Sequence, residues 1–243
     1  MSARSNAAPA GRHYDLAIIG AGSAGFAAAI TAAELGAHVA LIGHGTIGGT
    51  CVNIGCVPSK NLIRATEVLY AAGAASRFDG ITAEARLRDW RAVVRQKDAL
   101  VSELRKAKYI DLLPSYNTIA YIDGRARFVG GGVVVDGRPV NAGKIIVATG
   151  ASPSLPPIPG IAEVPYLTST TVIDLDKLPK SMLVIGGGYI GCELGQMLVR
   201  AGVSVTIVDI VPILSAGEPE ISQALAGYFH AEGITVRENV TTK

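Results

Sequence analysis

The chain has 243 residues, of which 49% are hydrophobic and 17% charged, and this excludes an intrinsically disordered protein. The formal net charge of +2 predicts no strong attraction to nucleic acid or to an anionic membrane, and no apolar run reaches the length of about 18 residues typical of a membrane span. Three cysteines are too few for a secreted disulfide scaffold. We therefore expect a cytoplasmic protein, and we expect residues 1–12, which lack the apolar core of a signal peptide, to form a flexible tail.

The first predicted element is an apolar strand at 16–19 that leads into a glycine motif of the form G-x-G-x-x-G. A helical pattern follows and ends at Gly36, and a second strand is predicted at 39–42. In such units the glycines allow a tight turn, the approach of a pyrophosphate and close helix packing, while N–H groups at the helix start bind the phosphates. We predict dinucleotide contacts from Gly20, Gly22, Ser23, Ala24 and Gly25.

The sharpest chemical signal is the segment 48–60, in which four residues separate Cys51 from Cys56. Thr50 can cap the helix predicted to follow, and two thiols about one turn apart can close a small disulfide. The positive end of that helix and Lys60 are expected to lower the pKa of a thiol here. Redox chemistry is the favoured interpretation, and the alternatives are a structural metal site or two simply packed cysteines.

Further along, apolar residues at helical spacing predict a long helix at 89–113 that Pro114 ends. Short strands are predicted at 126–129, 133–135 and 144–148. A proline-rich linker at 153–165 follows them.

A second copy of the glycine unit begins with a strand at 183–185, and its helix closes at Gly202. A strand at 205–208 and a third at 235–240 follow. Two matched copies predict an α/β fold with two Rossmann-like dinucleotide-binding domains. The predicted contacts of the second copy are Gly186, Gly188, Tyr189, Ile190 and Gly191.

The acidic residue that binds a ribose in such folds lies about 20 residues beyond the motif. Asp209 occupies this position in the second copy, whereas Gly43 occupies it in the first. Because a hydrogen bond to a charged group contributes roughly 1.5–3 kcal/mol, we expect the first nucleotide to bind about ten- to a hundredfold more weakly unless another group substitutes.

The sequence GTCVNIGCVPSK at 49–60 resembles the redox-active disulfide segment of the flavin disulfide reductases. Its residues are similar to those of the mercury(II) reductase branch of that family. Segments at 103–109, 148–153, 156–160 and 167–170 resemble the same branch. The resemblance covers 14–243 and implies the amino-terminal half of a glutathione-reductase-like fold. It implies an FAD-binding domain at 13–152 and an incomplete NAD(P)-binding domain at 166–243.

The resemblance also implies the cofactors, FAD at the first motif and NADPH or NADH at the second. Asp209 resembles the acid of NADH users, because a carboxylate repels a 2′-phosphate. Further cofactor contacts implied by the resemblance are Gly49, Thr50, Lys60, Ala148, Thr149 and Gly150.

The resemblance implies an oxidoreductase that passes electrons from NAD(P)H through FAD to Hg(II), giving Hg(0). Cys51 and Cys56 would bind the Hg(II) substrate, with Cys51 as the interchange thiol and Cys56 facing the flavin. Lys60 would lie near the flavin and pair with Glu193. The resemblance places Tyr109 beside the bound metal and makes Tyr189 a gate of the nicotinamide pocket, whereas Cys192 is interpreted as a packed thiol.

Two alternatives to Hg(II) reduction stay open at this point. The first is a dihydrolipoyl dehydrogenase-type enzyme that acts on a small thiol or disulfide substrate. The second is a non-catalytic fragment that only binds FAD and NAD. Members of the family are longer and are expected to act as homodimers at full length, so we expect the 243-residue chain to be weakly active or inactive alone.

Overall fold

A computed structural model describes residues 12–241, and the chain forms two compact units. Unit 1 contains the residues up to Val57 together with Ala99–Ser152, and unit 2 contains Pro58–Asp98 together with the residues from Pro153 onward. The predicted tail at 1–12 lies outside the described residues except for Arg12. No helix within 12–241 is both long and apolar enough to span a membrane.

Unit 1 is built on a six-stranded sheet with the order β3-β2-β1-β6-β5-β4. Four neighbouring strands are parallel: β1 (His13–Ile19), β2 (Val39–Gly43), β3 (Ile119–Asp123) and β6 (Arg138–Val147). Two antiparallel strands complete the edge: β4 (Ala126–Val129) and β5 (Gly132–Val135). The crossover from β1 to β2 is α1 (Ser23–Glu34). The chain then continues through α2 (Gly49–Asn53), α3 (Cys56–Gly73) and α4 (Trp90–Arg105).

Strands β1 and β2 are apolar along most of their length because both faces of this sheet are covered. One face buries Tyr14, Ala17, Ala40, Ile42 and Ile122. The opposite face buries Ile18, Val39 and Leu41 against Phe26 and Ala29 of α1. The alternation of these side chains along β1 and β2 fixes the register of the strands, and with it the position of the loops that follow them.

Unit 2 contains a three-stranded parallel sheet in the order β7-β8-β9. Its strands are β7 (Ser181–Ile185), β8 (Ser204–Val208) and β9 (Thr235–Arg237). It contains the helices α5 (Ser169–Val172), α6 (Tyr189–Arg200) and α7 (Pro219–Ala231), together with most of α3 and the first part of α4. The guanidinium of Arg200 binds both carboxylate oxygens of Glu232 at 2.7 Å, which fastens α6 to the end of α7. Bidentate pairs of this kind combine strength with a fixed geometry.

The mixed six-stranded sheet and the parallel three-stranded sheet confirm the predicted α/β class, and most predicted elements are present with altered ends. The helix predicted at 89–113 ends at Arg105, where a π-helical turn, Lys106–Ile110, follows. Strand β6 starts at Arg138, earlier than predicted, because its two ends pair with different strands, β5 and β1. The strand predicted at 235–240 stops at Arg237, the last residue that pairs with β8.

Candidate active site

The first glycine loop has the geometry that its sequence predicts. Gly20 has a left-handed φ of 120°, and a Cβ atom on it would lie 2.0 Å from the carbonyl oxygen of Ala148. A Cβ atom on Gly25 would lie 1.8 Å from the carbonyl oxygen of Gly20. Helix α1 follows Gly22 with no side-chain cap, so the N–H groups of its first turn, at Ser23 and Ala24, remain available to an anionic ligand.

A cavity of about 290 Å³ opens beside this loop, entirely within unit 1. It lies at the carboxyl ends of β1, β2 and β6, where open α/β sheets bind their ligands. Its polar lining includes His44, Thr46, Tyr121, Arg125 and Thr149. The segment predicted as a second cofactor contact, Ala148 to Gly150, directly follows β6, and its Thr149 lines the same cavity.

The end of β2 carries no acid, as the sequence states, and it has no room for one. Gly43 is buried, and a Cβ atom on it would lie 2.7 Å from both the Tyr121 hydroxyl and the Ala21 Cβ. The volume that a side chain at position 43 would need is therefore occupied by Tyr121 of the neighbouring strand β3.

The two cysteines lie at the junction of two helices rather than on one. Gly48 has a left-handed φ of 104° and precedes α2, so Gly48, and not Thr50 as predicted, caps this helix. Thr50 lies inside α2 and is exposed. Cys51 is on α2 and Cys56 is the first residue of α3, and both are exposed.

The side chain of Asn53 fixes the short helix that carries Cys51. Its amide nitrogen donates to the carbonyl oxygens of Ile47 and Gly49, each at 2.9 Å. Its amide oxygen accepts a hydrogen bond from Arg105 at 3.0 Å. Sequence reasoning missed both roles, because the amide and the guanidinium come from elements far apart in the chain.

The cysteine helix also contacts the first glycine loop directly. The N–H of Gly48 donates to the carbonyl oxygen of Ala21 at 2.9 Å, and Gly48 forms a parallel bridge with Gly22. A Cβ atom on Gly49 would lie 2.6 Å from the Cα of Gly22. The predicted nucleotide loop and the predicted redox segment are therefore adjacent within unit 1.

Cys51 and Cys56 interact as thiols. The pKa of Cys51 is raised above its usual value, first because its side chain hydrogen-bonds with Cys56 and then because the thiol is partly removed from water. The predicted lowering of a thiol pKa by the helix end and Lys60 is therefore wrong for Cys51 in this dithiol state. The side chain whose charge lowers the pKa of Cys51 is Lys108.

Tyr109 is buried in the core of unit 1. Its ring packs edge-on against Phe26 with the centroids 4.8 Å apart, and its hydroxyl lies 3.2 Å from that of Ser23. A Cβ atom on Gly48 would lie 3.2 Å from the ring. Tyr109 thus supports the turn before the cysteine helix, and its role beside a bound metal stays a prediction.

Lys60 and Glu193 form the predicted ion pair, and both belong to unit 2. The two side chains are 55% and 45% exposed, so the pair lies at the surface. Exposed ion pairs contribute only about 0–1 kcal/mol to stability. The pair therefore matters more for where it holds the Lys60 ammonium than for the free energy of unfolding.

The second glycine loop repeats the first in its backbone. Gly186 has a left-handed φ of 106°, and a Cβ atom on Gly191 would lie 2.0 Å from the carbonyl oxygen of Gly186. Helix α6 follows Gly188 and also lacks a side-chain cap. Tyr189 and Ile190 in its first turn are 66% and 60% exposed, and their contact with a nucleotide stays a prediction.

Asp209 occupies the position predicted for a ribose contact in unit 2. One carboxylate oxygen accepts a hydrogen bond from the N–H of Gly187 at 2.6 Å, and the other lies 3.3 Å from the N–H of Val211. A carboxylate has about four lone-pair sites, so it can also accept a ribose hydroxyl. Cys192 is buried and hydrogen-bonds to the Gly187 carbonyl, which confirms the interpretation of a packed thiol.

The sequence is similar to known proteins over nearly the whole of its length. A family model described as pyridine nucleotide-disulphide oxidoreductase matches residues 14–243. The mercuric reductase of Lysinibacillus sphaericus is 46% identical over 94% of this chain and 42% of its own length. The mercuric reductase of Streptomyces lividans is 45% identical over 92% of this chain and 48% of its own length. The chain therefore spans less than half the length of these curated relatives.

Solved structures give a similar result. The HOCl-induced flavoprotein disulfide reductase RclA from Escherichia coli matches with a TM-score of 0.80 and 32% sequence identity. The match covers 94% of this chain and 49% of that chain. Its Cu(II) complex matches with a TM-score of 0.79.

Proposed function

This chain belongs to the pyridine nucleotide-disulphide oxidoreductase family, and on that premise we propose that it acts as an NAD(P)H-dependent flavin oxidoreductase that reduces Hg(II) to Hg(0). The resemblance to mercury(II) reductases and the glutathione-reductase-like fold class are both confirmed. FAD and a nicotinamide nucleotide are the cofactors that this family implies. The proposed reaction, Hg(II) + NAD(P)H → Hg(0) + NAD(P)⁺ + H⁺, balances in electrons and charge.

The residues of unit 1 fit an FAD molecule. The uncapped start of α1, the Gly20 turn and the adjoining cavity of about 290 Å³ form a cradle that a Cβ atom at Gly20 or Gly25 would obstruct. Thr149 lines this cavity. When bound, FAD supplies the two-electron chemistry that links a nicotinamide to a pair of sulfur atoms.

The observation that carries the proposal is the exposed, hydrogen-bonded thiol pair of Cys51 and Cys56. A soft metal ion prefers soft thiolate ligands, and two thiolates satisfy Hg(II). Binding replaces two S–H protons by one Hg(II) ion and releases both protons to solvent. The positive charge of Lys108 favours the release of the proton from Cys51.

The remaining site residues are proposed to act in support. The Lys60 ammonium, held by Glu193, would supply positive charge to the bound flavin, and Asp209 would bind the ribose of the nicotinamide nucleotide. Tyr109 would lie near the bound metal and Tyr189 would gate the nicotinamide pocket. Assembly of the full-length protein as a homodimer belongs to the same proposal.

The test measures Hg(0) release by the purified, FAD-loaded chain with NADH or NADPH as the reductant; we expect this release to be slow, because the chain spans less than half the length of its curated relatives. It also counts the thiols that one equivalent of Hg(II) protects from alkylation. We expect Hg(II) to protect Cys51 and Cys56 together, and Cys51→Ala or Cys56→Ala to abolish both protection and release. Cys192→Ala is the matched control and should leave both intact. Reduction of lipoamide without any Hg(0) release would instead establish a disulfide reductase and refute Hg(II) as the substrate.

A further inference from the structure

The first nucleotide site lacks the acid expected at the end of β2, and a different side chain occupies its place. Gly43 is buried, and the Tyr121 hydroxyl lies only 2.7 Å from the position that a Cβ atom on Gly43 would take. Tyr121 pairs with Leu41 in the register of β2 and β3. Its long side chain therefore reaches diagonally across the sheet to the end of the neighbouring strand.

The Tyr121 hydroxyl is available to a molecule bound in the cavity beside the Gly20 loop. Tyr121 lines this cavity, and within residues 12–241 its hydroxyl has no hydrogen-bond partner. Burial, aided by the charge of Asp123, raises the pKa of Tyr121 above its usual value. The phenol consequently stays protonated and remains a hydrogen-bond donor across the physiological pH range.

Asp123 acts on Tyr121 through its charge but does not line the cavity, so it does not take over the missing role there. Among the described residues that line the cavity, none is acidic. The charged or basic members are His44 and Arg125, with the Arg125 Nη2 and His44 Nε2 atoms 3.3 Å apart. A ribose hydroxyl in this cavity would therefore meet donors in place of a carboxylate acceptor.

We propose that Tyr121 is a specificity-determining residue of the first nucleotide site, whose hydroxyl replaces the missing carboxylate and hydrogen-bonds the adenosine ribose of the dinucleotide. A ribose hydroxyl can accept as well as donate, so it pairs with a phenol as readily as with an acid. The proposal rests on the proposed function only in that a dinucleotide must occupy the Gly20 loop. The bond from a neutral phenol is weaker than one to a carboxylate, so the substitution recovers part of the lost affinity.

The test titrates FAD into the apoprotein and follows flavin fluorescence. We expect Tyr121→Phe to weaken FAD binding by about three- to tenfold, the effect of one neutral hydrogen bond. Tyr116→Phe is the matched control, because the Tyr116 hydroxyl lies 3.4 Å from Glu34 and does not line the cavity. Equal FAD affinity of wild type and Tyr121→Phe would overturn the assignment of Tyr121 and leave the proposed function standing.

A second measurement isolates the ribose. ADP, 2′-deoxy-ADP and 3′-deoxy-ADP compete with FAD, and the wild type should bind ADP about three- to tenfold more tightly than at least one deoxy analogue. Tyr121→Phe should abolish this preference. A preference that survives in Tyr121→Phe would refute the proposal, and a wild type that binds neither FAD nor ADP would refute the proposed function with it.

A paired substitution tests the exchange of the two side chains. Gly43→Glu alone should weaken FAD binding, because the new side chain collides with both Tyr121 and the Cβ of Ala21. Adding Tyr121→Val, a small residue that suits a strand, together with Ala21→Gly, which matches Gly187 of the second loop, should restore the affinity to the wild-type level or above. Equal FAD affinities of Gly43→Glu with and without these two further substitutions would contradict the proposed exchange.

Discussion

The two glycine loops of this chain share a backbone but differ at the end of the following strand. In both loops the first glycine is left-handed, and the third allows no Cβ atom because a carbonyl oxygen fills that space. In both loops the residue between the first two motif glycines accepts a hydrogen bond at its carbonyl oxygen. In unit 1 the N–H of Gly48 donates to Ala21 at 2.9 Å, and in unit 2 the N–H of Leu214 donates to Gly187 at 2.8 Å. The backbone geometry of the glycine loop is therefore local and repeated in both units.

The two loops differ at the end of the following strand, where the ribose contact is proposed. The residues around that position differ as well. In unit 2 the motif has Gly187, whose N–H binds the Asp209 carboxylate. In unit 1 the corresponding residue is Ala21, which lies beside Gly43 and Tyr121. The difference teaches that the phosphate end of such a site is fixed by backbone geometry, whereas its ribose end can be rebuilt from a neighbouring strand.

The largest expected effect tests the shared backbone. Gly25→Ala and Gly191→Ala should each lower the free energy of unfolding by about 1–3 kcal/mol or more, because the new methyl group meets a carbonyl oxygen that cannot move away. Gly188→Ala is the control, because its φ is −73° and a Cβ atom there has no neighbour within 4 Å. Urea unfolding measures the effect. Clearly unequal losses in the free energy of unfolding for Gly25→Ala and Gly191→Ala would contradict the equivalence of the two loop backbones.

The thiols of the two units should differ almost as strongly. Burial raises the pKa of Cys192 to about 11, whereas Cys51 is exposed. At pH 8 only about one Cys192 side chain in a thousand is a thiolate. We expect iodoacetamide to alkylate Cys51 at least about a hundredfold faster than Cys192 in the folded protein, as measured by peptide mass spectrometry. Similar rates without denaturant would show that α6 opens readily.

A smaller effect tests whether Asp209 binds the ribose of the nicotinamide nucleotide in unit 2. Asp209→Asn should weaken NADH binding by about tenfold, because it removes the charge while an amide oxygen can still accept from Gly187. It should also reduce the discrimination against NADPH, whose 2′-phosphate the carboxylate repels. Asp176→Asn is the control, since Asp176 pairs with Arg91 on the surface. Fluorescence titration gives both affinities, and an unchanged NADH affinity would remove Asp209 from the site.

The smallest expected effect concerns the pH dependence of Cys51. Lys108→Ala removes a positive charge that lowers the pKa of Cys51, so the alkylation profile should move to higher pH. Cys56→Ala removes the hydrogen bond that raises this pKa, so the profile should move to lower pH. Lys106→Ala is the matched control, because Lys106 is paired with Asp111. A shift in the opposite direction for either variant would contradict the thiol pairing described above.

Much of the fold could be predicted because its signals are local. Glycine spacing, apolar strands and helical periodicity lie within short segments, and they predicted both loops and most strands. The absence of an acid at position 43 could also be predicted from spacing alone. The replacement by Tyr121 could not, because it depends on the register between β2 and β3 and on a diagonal contact across the sheet.

The chemistry of the cysteine segment was predicted less completely. The sequence identified Cys51 and Cys56, but it placed the helix cap at Thr50, whereas the left-handed Gly48 occupies that position. The predicted direction of the Cys51 pKa shift was wrong because the hydrogen bond with the second thiol outweighs the charge of Lys108. The pairing of Lys60 with Glu193 followed from the family resemblance, since no local pattern links residues so far apart.

The contact among Gly22, Gly48 and Gly49 constrains how this protein can evolve. Because the phosphate turn and the turn before the cysteines touch backbone to backbone, a side chain gained at either turn would push the other out of place. Neither turn can change its backbone position independently of the other. A lineage that loses one of these glycines must therefore also change the sequence of the other turn. In descendants of this sequence, the three positions should therefore be retained or lost together.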